Sequence, residues 1–182
     1  MKKLWTLLLV CVFSLSVNAS QGGVNESISL DGTGINMIDY DGIMRTNNDT
    51  DFSVILQMED SSNISNIIWV TQVCINTGVC YPPHENQMDR GDDNSFGSSI
   101  VTETGYSYIN WKFIIEMEDG SESHVPDIGF GWKVWSDCWY DNGTWGGDSV
   151  QCQPDDSSFI PGFAAPLAIA SISLATLMIR RE

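Results

Sequence analysis

Apolar and polar positions alternate with a period of two along most of the chain. Over 106–117, Ile109, Trp111, Phe113, Ile115 and Met117 fall on one face, and Tyr108, Asn110, Lys112, Ile114 and Glu116 on the other. Successive strand side chains point to opposite sides, so this is the pattern of a strand with one buried face. Asp119-Gly120 follows, a pair suited to the positive φ of a hairpin turn. Over 51–59, Phe52, Val54, Leu56 and Met58 alternate with Ser53, Ile55 and Gln57. The run 66–75 is denser in apolar residues, as expected of a strand covered on both faces. Over 130–138, Phe130, Trp132, Val134 and Cys138 alternate with Lys133, Trp135 and Asp137. Shorter strands are expected over 26–30, 35–38 and 99–102, separated by clusters of Gly, Asn and Asp. Six or seven short strands and no helical stretch between the two ends predict an all-β domain, a single immunoglobulin-like β-sandwich.

The ends break this pattern. Residues 1–19 carry Lys2 and Lys3, an apolar run, and Val17-Asn18-Ala19 as a small-residue cleavage site, which reads as a secretory signal peptide. The ectodomain is then expected over 20–155, with a short linker over 156–160. From Phe163 to Ile179 there are 17 residues without a charge, followed by Arg180-Arg181. As a helix this run spans roughly 25 Å, at the short limit for a bilayer core. The basic pair would stay inside and the ectodomain outside.

This segment opens with Pro161-Gly162-Phe163. Over 161–182 the order Pro-Gly-Phe, apolar span, basic tail resembles the PGF-CTERM sorting signal of archaeal surface proteins. The resemblance implies an archaeosortase-type membrane enzyme as a processing partner and a lipid anchor in place of the tail, physically parallel to a removable GPI tail. An ordinary transmembrane anchor is the alternative. Either one implies an extracytoplasmic protein held at the cell membrane.

Charge narrows the function classes. The 182 residues carry a formal net charge of −16. The expected ectodomain keeps four basic residues, Arg45, Arg90, Lys112 and Lys133, against 23 acids, a net charge of −19. A chain without a basic patch cannot neutralise phosphates, so nucleic acid is excluded as a partner. Divalent-cation binding needs clustered carboxylates. Asp39 and Asp41 form one candidate group for Ca2+, and Asp89, Asp92 and Asp93 another, though neither completes an EF-hand loop. No other cofactor is expected. Arg90-Gly91-Asp92 spells an adhesion tripeptide too short to carry weight.

Removal of the signal would leave Cys74, Cys80, Cys138 and Cys152, an even count that implies two disulfides in an exported chain. Three connectivities are possible; short loops favour Cys74–Cys80 and Cys138–Cys152. Asn25, Asn48, Asn63 and Asn142 begin Asn-x-Ser/Thr sequons and are candidate glycosylation sites.

Two segments are candidates for function. Cys74 and Cys80, separated by five residues and followed by Tyr81-Pro82-Pro83, resemble the motif in the N-terminal immunoglobulin-like domain of the DsbD thiol–disulfide interchange proteins. The resemblance covers about 15 residues and implies that Cys74 and Cys80 form a redox pair. This chain has neither the multi-span membrane domain nor the thioredoxin-like domain of that family. The local chemistry favours a structural disulfide: no Lys or Arg lies between Asp51 and Met88, and His84 is the one candidate cation in a negative field.

The other segment holds Trp135, Trp139 and Trp145. Trp135 and Trp139 share parity with Lys133 and Asp137 and are expected to face outward, as a platform for a glycan or a surface protein. The alternative is an apolar face buried under the Cys138–Cys152 loop. His84 and His124 are the only histidines, and no catalytic constellation is visible. The sequence therefore points first to a non-enzymatic, surface-anchored binding or envelope domain, and second to thiol–disulfide exchange through Cys74 and Cys80.

Overall fold

The computed structural model describes residues 22–46 and 50–149. The expected signal peptide, Asn48, Cys152, the linker and the Pro161-Gly162-Phe163 tail lie outside the described residues. Among the described residues there is no helix, and the fold is all-β.

The strands are β1 (Glu26–Ser27), β2 (Ile35–Tyr40), β3 (Asp51–Met58), β4 (Ile64–Asn76), β5 (Val79–Cys80), β6 (His84–Gln87), β7 (Asp89–Arg90), β8 (Ser95–Val101), β9 (Tyr108–Met117), β10 (Glu122–Val125), β11 (Trp132–Trp135), β12 (Trp139–Asp141) and β13 (Thr144–Gly146). One sheet runs β1-β11-β9-β4-β5, with β10 also on β9 and β6 also on β4. A second runs β2-β3-β8-β7, and β12-β13 form a separate hairpin. All of these pairings are antiparallel. The segment around Met44 adds a parallel bridge to Ser136.

The two larger sheets share one core, an arrangement consistent with a β-sandwich. The alternating residues of β3 (Phe52, Val54, Leu56, Met58) and of β9 (Ile109, Trp111, Phe113, Ile115) are all buried, as their parity predicts. Trp69, Trp111 and Phe52 meet between the sheets, with ring centroids 5.7 to 6.3 Å apart. Such aromatic pairs each add about 1 kcal/mol beyond burial. Trp132 and Val134 also enter this core, in agreement with their parity.

The strand expected over 26–30 is only Glu26–Ser27, and the one over 130–138 shortens to Trp132–Trp135. Strands β5, β6, β7, β10, β12 and β13 have no counterpart in the periodicity. They are at most four residues long, and several are polar, as in His84-Glu85-Asn86-Gln87.

Candidate functional site

The cysteine segment and the tryptophan segment meet on the outer face of the larger sheet. Cys80 is the register partner of Cys74 on β4. Cys74 stands opposite Tyr108 on β9, and Tyr108 opposite Trp135 on β11. These four residues thus form one cross-strand row over four strands. Opposed side chains in a sheet are in contact range, and Cys74, Tyr108 and Trp135 form a buried cluster with Trp139 packed against it. The Tyr108 and Trp135 rings are 4.8 Å apart, and those of Trp135 and Trp139 5.1 Å.

Cys74 and Cys80 are joined by a disulfide, with Cα atoms 3.9 Å apart. The two ends of the bond differ. Cys74 is fully buried, whereas Cys80 is exposed on the short strand β5. The β4–β5 turn closes through Gly78, whose φ of 75° favours glycine. Beside it the register slips by one residue at Ile75, a β-bulge. Ile75, Val79 and Tyr81 are exposed around Cys80.

Polar groups converge on the sulfurs. The Asn110 amide Nδ2 lies 3.7 Å from Cys74 Sγ, and the Tyr108 hydroxyl 3.8 Å from Cys80 Sγ. Burial, followed by the nearby Asp141 and Glu26 carboxylates, pushes the Tyr108 phenol above its ordinary value of 10.0; hydrogen bonds to Gly78 and Thr77 act in the opposite direction. Lys133 Nζ lies 4.3 Å from the Tyr108 ring centroid and 4.5 Å from that of Trp135, and 3.8 Å from Glu26 Oε1. The cation nearest this row therefore comes from β11, across the register, and not from the cysteine segment. His84 directs Nδ1 to Asn86 Oδ1 at 3.0 Å.

The β12–β13 hairpin is tied to the β4–β5 hairpin. Asp141 accepts a hydrogen bond from the Thr77 hydroxyl, and Asn142 N donates to Asn76 Oδ1 at 3.1 Å. The Ser107 hydroxyl donates to the carbonyls of Ile75 and Tyr140 at 2.8 and 3.1 Å.

The outward platform expected of Trp135 and Trp139 is not present. Trp135 is 4% exposed. Its indole N–H donates to the Val24 carbonyl and its backbone N–H to Asn25 Oδ1, both at 2.9 Å. Its parity is outward, as expected, but the N-terminal segment and Tyr108 cover that face. Trp139 is half-buried between glycines: a Cβ on Gly22 would fall 2.6 Å, and one on Gly146 2.2 Å, from its ring. Trp145 is half-buried against Tyr140, with ring centroids 4.9 Å apart.

The remaining candidate residues are dispersed. Cys138 is disulfide-bonded; its expected partner Cys152 is outside the described residues. Asp39 lies on β2 and Asp89 on β7, at opposite edges of the four-stranded sheet, so the two acidic groups are not brought together. Among the described residues no three His, Cys, Asp or Glu side chains converge as a metal site. Arg90 places its guanidinium over the Phe96 ring at 4.8 Å and donates to the Ser61 and Ile64 carbonyls, so the head of its tripeptide is engaged within the domain although Arg90, Gly91 and Asp92 are exposed residues. The Asn25 amide donates to the Gly42 carbonyl at 2.6 Å and is structurally committed, while Asn63 and Asn142 are exposed.

No protein-family model and no curated protein matches the chain.

Proposed function

We propose that the chain is an extracytoplasmic, immunoglobulin-like domain whose Cys74–Cys80 pair undergoes thiol–disulfide exchange with a dithiol. The strand orders β2-β3-β8-β7 and β11-β9-β4 correspond to the ABED and GFC sheets of that architecture. The export signal read in residues 1–19 and the tail beginning at Pro161-Gly162-Phe163 support membrane anchoring after processing by an archaeosortase-type enzyme.

The observation that carries the reading is the asymmetry of the bond: Cys80 is open to attack and Cys74 is buried. Exposed disulfides are the labile ones, and exchange proceeds through a mixed disulfide. A partner thiolate attacks Cys80 Sγ, a new intermolecular S–S bond forms, and the Cys74–Cys80 bond breaks. Cys74 Sγ leaves with the electron pair, facing the Asn110 amide. The partner's second thiolate then attacks its own sulfur in the mixed disulfide and releases Cys80. The partner ends oxidised and this pair reduced; the reverse sequence transfers electrons outward.

The test is the reduction potential of the pair, together with trapping by Cys74→Ser, which leaves Cys80 as the lone thiol of the pair. A potential above about −300 mV is expected. In the variant, Cys80 activated as its mixed disulfide with thionitrobenzoate should be attacked by the single-cysteine form of a dithiol protein, thionitrobenzoate leaving as the thiolate and the partner staying bonded to Cys80. A potential well below about −300 mV would overturn the reading.

A second reading, recognition of a glycan or surface protein, is favoured by the half-exposed Tyr140–Trp145 pair on the β12–β13 hairpin. Loss of glycan-array or envelope binding in Trp145→Ala would support it.

A further inference from the structure

At the end of the domain remote from the disulfide, a hollow of about 240 Å³ opens between the sheets. Ile64 and Met117 are register partners at this end of the β4–β9 ladder, and Cys74 and Tyr108 at the other. Ten residues of strand separate the ends, roughly 33 Å, so the hollow is independent of the exchange reading.

Its floor is apolar: Met58, Ile64 and Ile115 are buried and Met117 is half-buried. Its rim carries two acids from the loop after β3, Glu59 and Asp60, both exposed. Asp60 Oδ1 accepts from the Ser62 backbone N–H at 2.8 Å and Oδ2 from its hydroxyl at 3.1 Å, an arrangement that holds the carboxyl below its ordinary value. Neither acid forms an ion pair among the described residues. Arg90 reaches the same loop but binds the Ser61 and Ile64 carbonyls. An apolar floor under a rim of two carboxylates that form no ion pair among the described residues is complementary to a ligand with one hydrocarbon end and one positive end. The volume corresponds to roughly eight water-sized groups.

We infer that this hollow is a binding site for a small alkylammonium ion, its chain on the two methionines and its ammonium group at Glu59 and Asp60. The hydrocarbon supplies burial, and the acids select cation over alcohol or carboxylate.

The test uses the full-length chain with methyl-labelled methionine, titrated with hexylammonium, hexanol and hexanoate. Saturable shifts of the Met58 and Met117 methyl signals are expected with hexylammonium, with affinity at least about threefold above hexanol. Hexanoate is expected to bind weakest, and added salt to weaken hexylammonium alone. Glu59→Gln/Asp60→Asn alters exposed residues only and should bring hexylammonium down to the hexanol level with the fold intact. Equal shifts for all three ligands, no saturation, or unchanged selectivity in the double variant would overturn the proposal.

Discussion

Tyr108 stands directly opposite Cys74 across the β4–β9 ladder, with its hydroxyl 3.8 Å from the sulfur of Cys80. One strand further on it meets Trp135. A single residue thus couples the disulfide hairpin to the tryptophan-rich segment, although the two are far apart in sequence. The outer face of the sheet carries a second small core beneath the N-terminal segment, distinct from the one between the sheets.

Trp135 and Trp145 should therefore respond differently to truncation. Trp135→Ala removes a buried indole, its ring contacts with Tyr108 and Trp139, and the anchor for Val24. We expect a loss of about 3–5 kcal/mol in urea unfolding. Trp145→Ala, at a half-buried hairpin position, should cost about 1 kcal/mol or less. Hydrogen exchange near the N-terminus should rise in the first variant and not in the second.

That contrast shows where the sequence was legible and where it was not. Alternation placed Ile109, Trp111, Phe113 and Ile115 in the core because one parity of a long strand faces the opposing sheet. The same rule put Trp135 on the other face correctly, yet periodicity does not say what covers a face. The cover comes from Gly22 to Asn25, a segment with no apolar pattern, through the Asn25 side chain and the Val24 carbonyl. The Cys74–Cys80 pairing was readable from its spacing. Tyr108, Asn110 and Lys133 were not, because they reach the sulfurs or one another through cross-strand register. The one sequence hint was an aromatic, Tyr108, on the otherwise largely polar parity of its strand.

The glycines around Trp139 are space requirements rather than flexible joints. Gly146→Ala would put a Cβ 2.2 Å from the indole Cζ2. A rigid ring cannot yield that distance without shifting the hairpin, so a cost of about 1–3 kcal/mol is expected. Gly143→Ala, at φ 88° with open space around it, should cost about 1 kcal/mol through backbone conformation alone. Thermal unfolding of the two variants separates the mechanisms: a Trp139→Ala background should rescue Gly146→Ala and leave Gly143→Ala unchanged.

Alkaline pH should loosen the outer row. Burial raises the phenol of Tyr108, and burial and then Glu103 raise that of Tyr106, above the ordinary 10.0. The folded state then holds these protons more tightly than the unfolded chain does. The resulting stability is fully present below about pH 10 and is lost as pH rises through the raised values. Urea midpoints measured from about pH 9 upward should fall, and Tyr108→Phe should flatten part of that fall. In an absorbance titration, Tyr108→Phe should lose a phenolate signal that appears above the ordinary 10.0.

An exchanging pair must leave a folded domain behind when it opens, and the topology permits this. The bond closes a short loop, with a sequence separation of 6, worth about 2 kcal/mol in the chain-entropy description. The ladder that defines β4 is made mostly elsewhere: nine of its ten register pairs with β9 precede Cys74, and four more join β6. The double variant Cys74→Ala/Cys80→Ala leaves the disulfide of Cys138 in place, which a reductant would not. It should unfold cooperatively, about 2–3 kcal/mol less stable than the parent, with its near-ultraviolet tryptophan dichroism largely retained. Collapse of that signal in the absence of denaturant would make the bond a brace the fold depends on, and a domain that unfolds on reduction could not cycle between the two states.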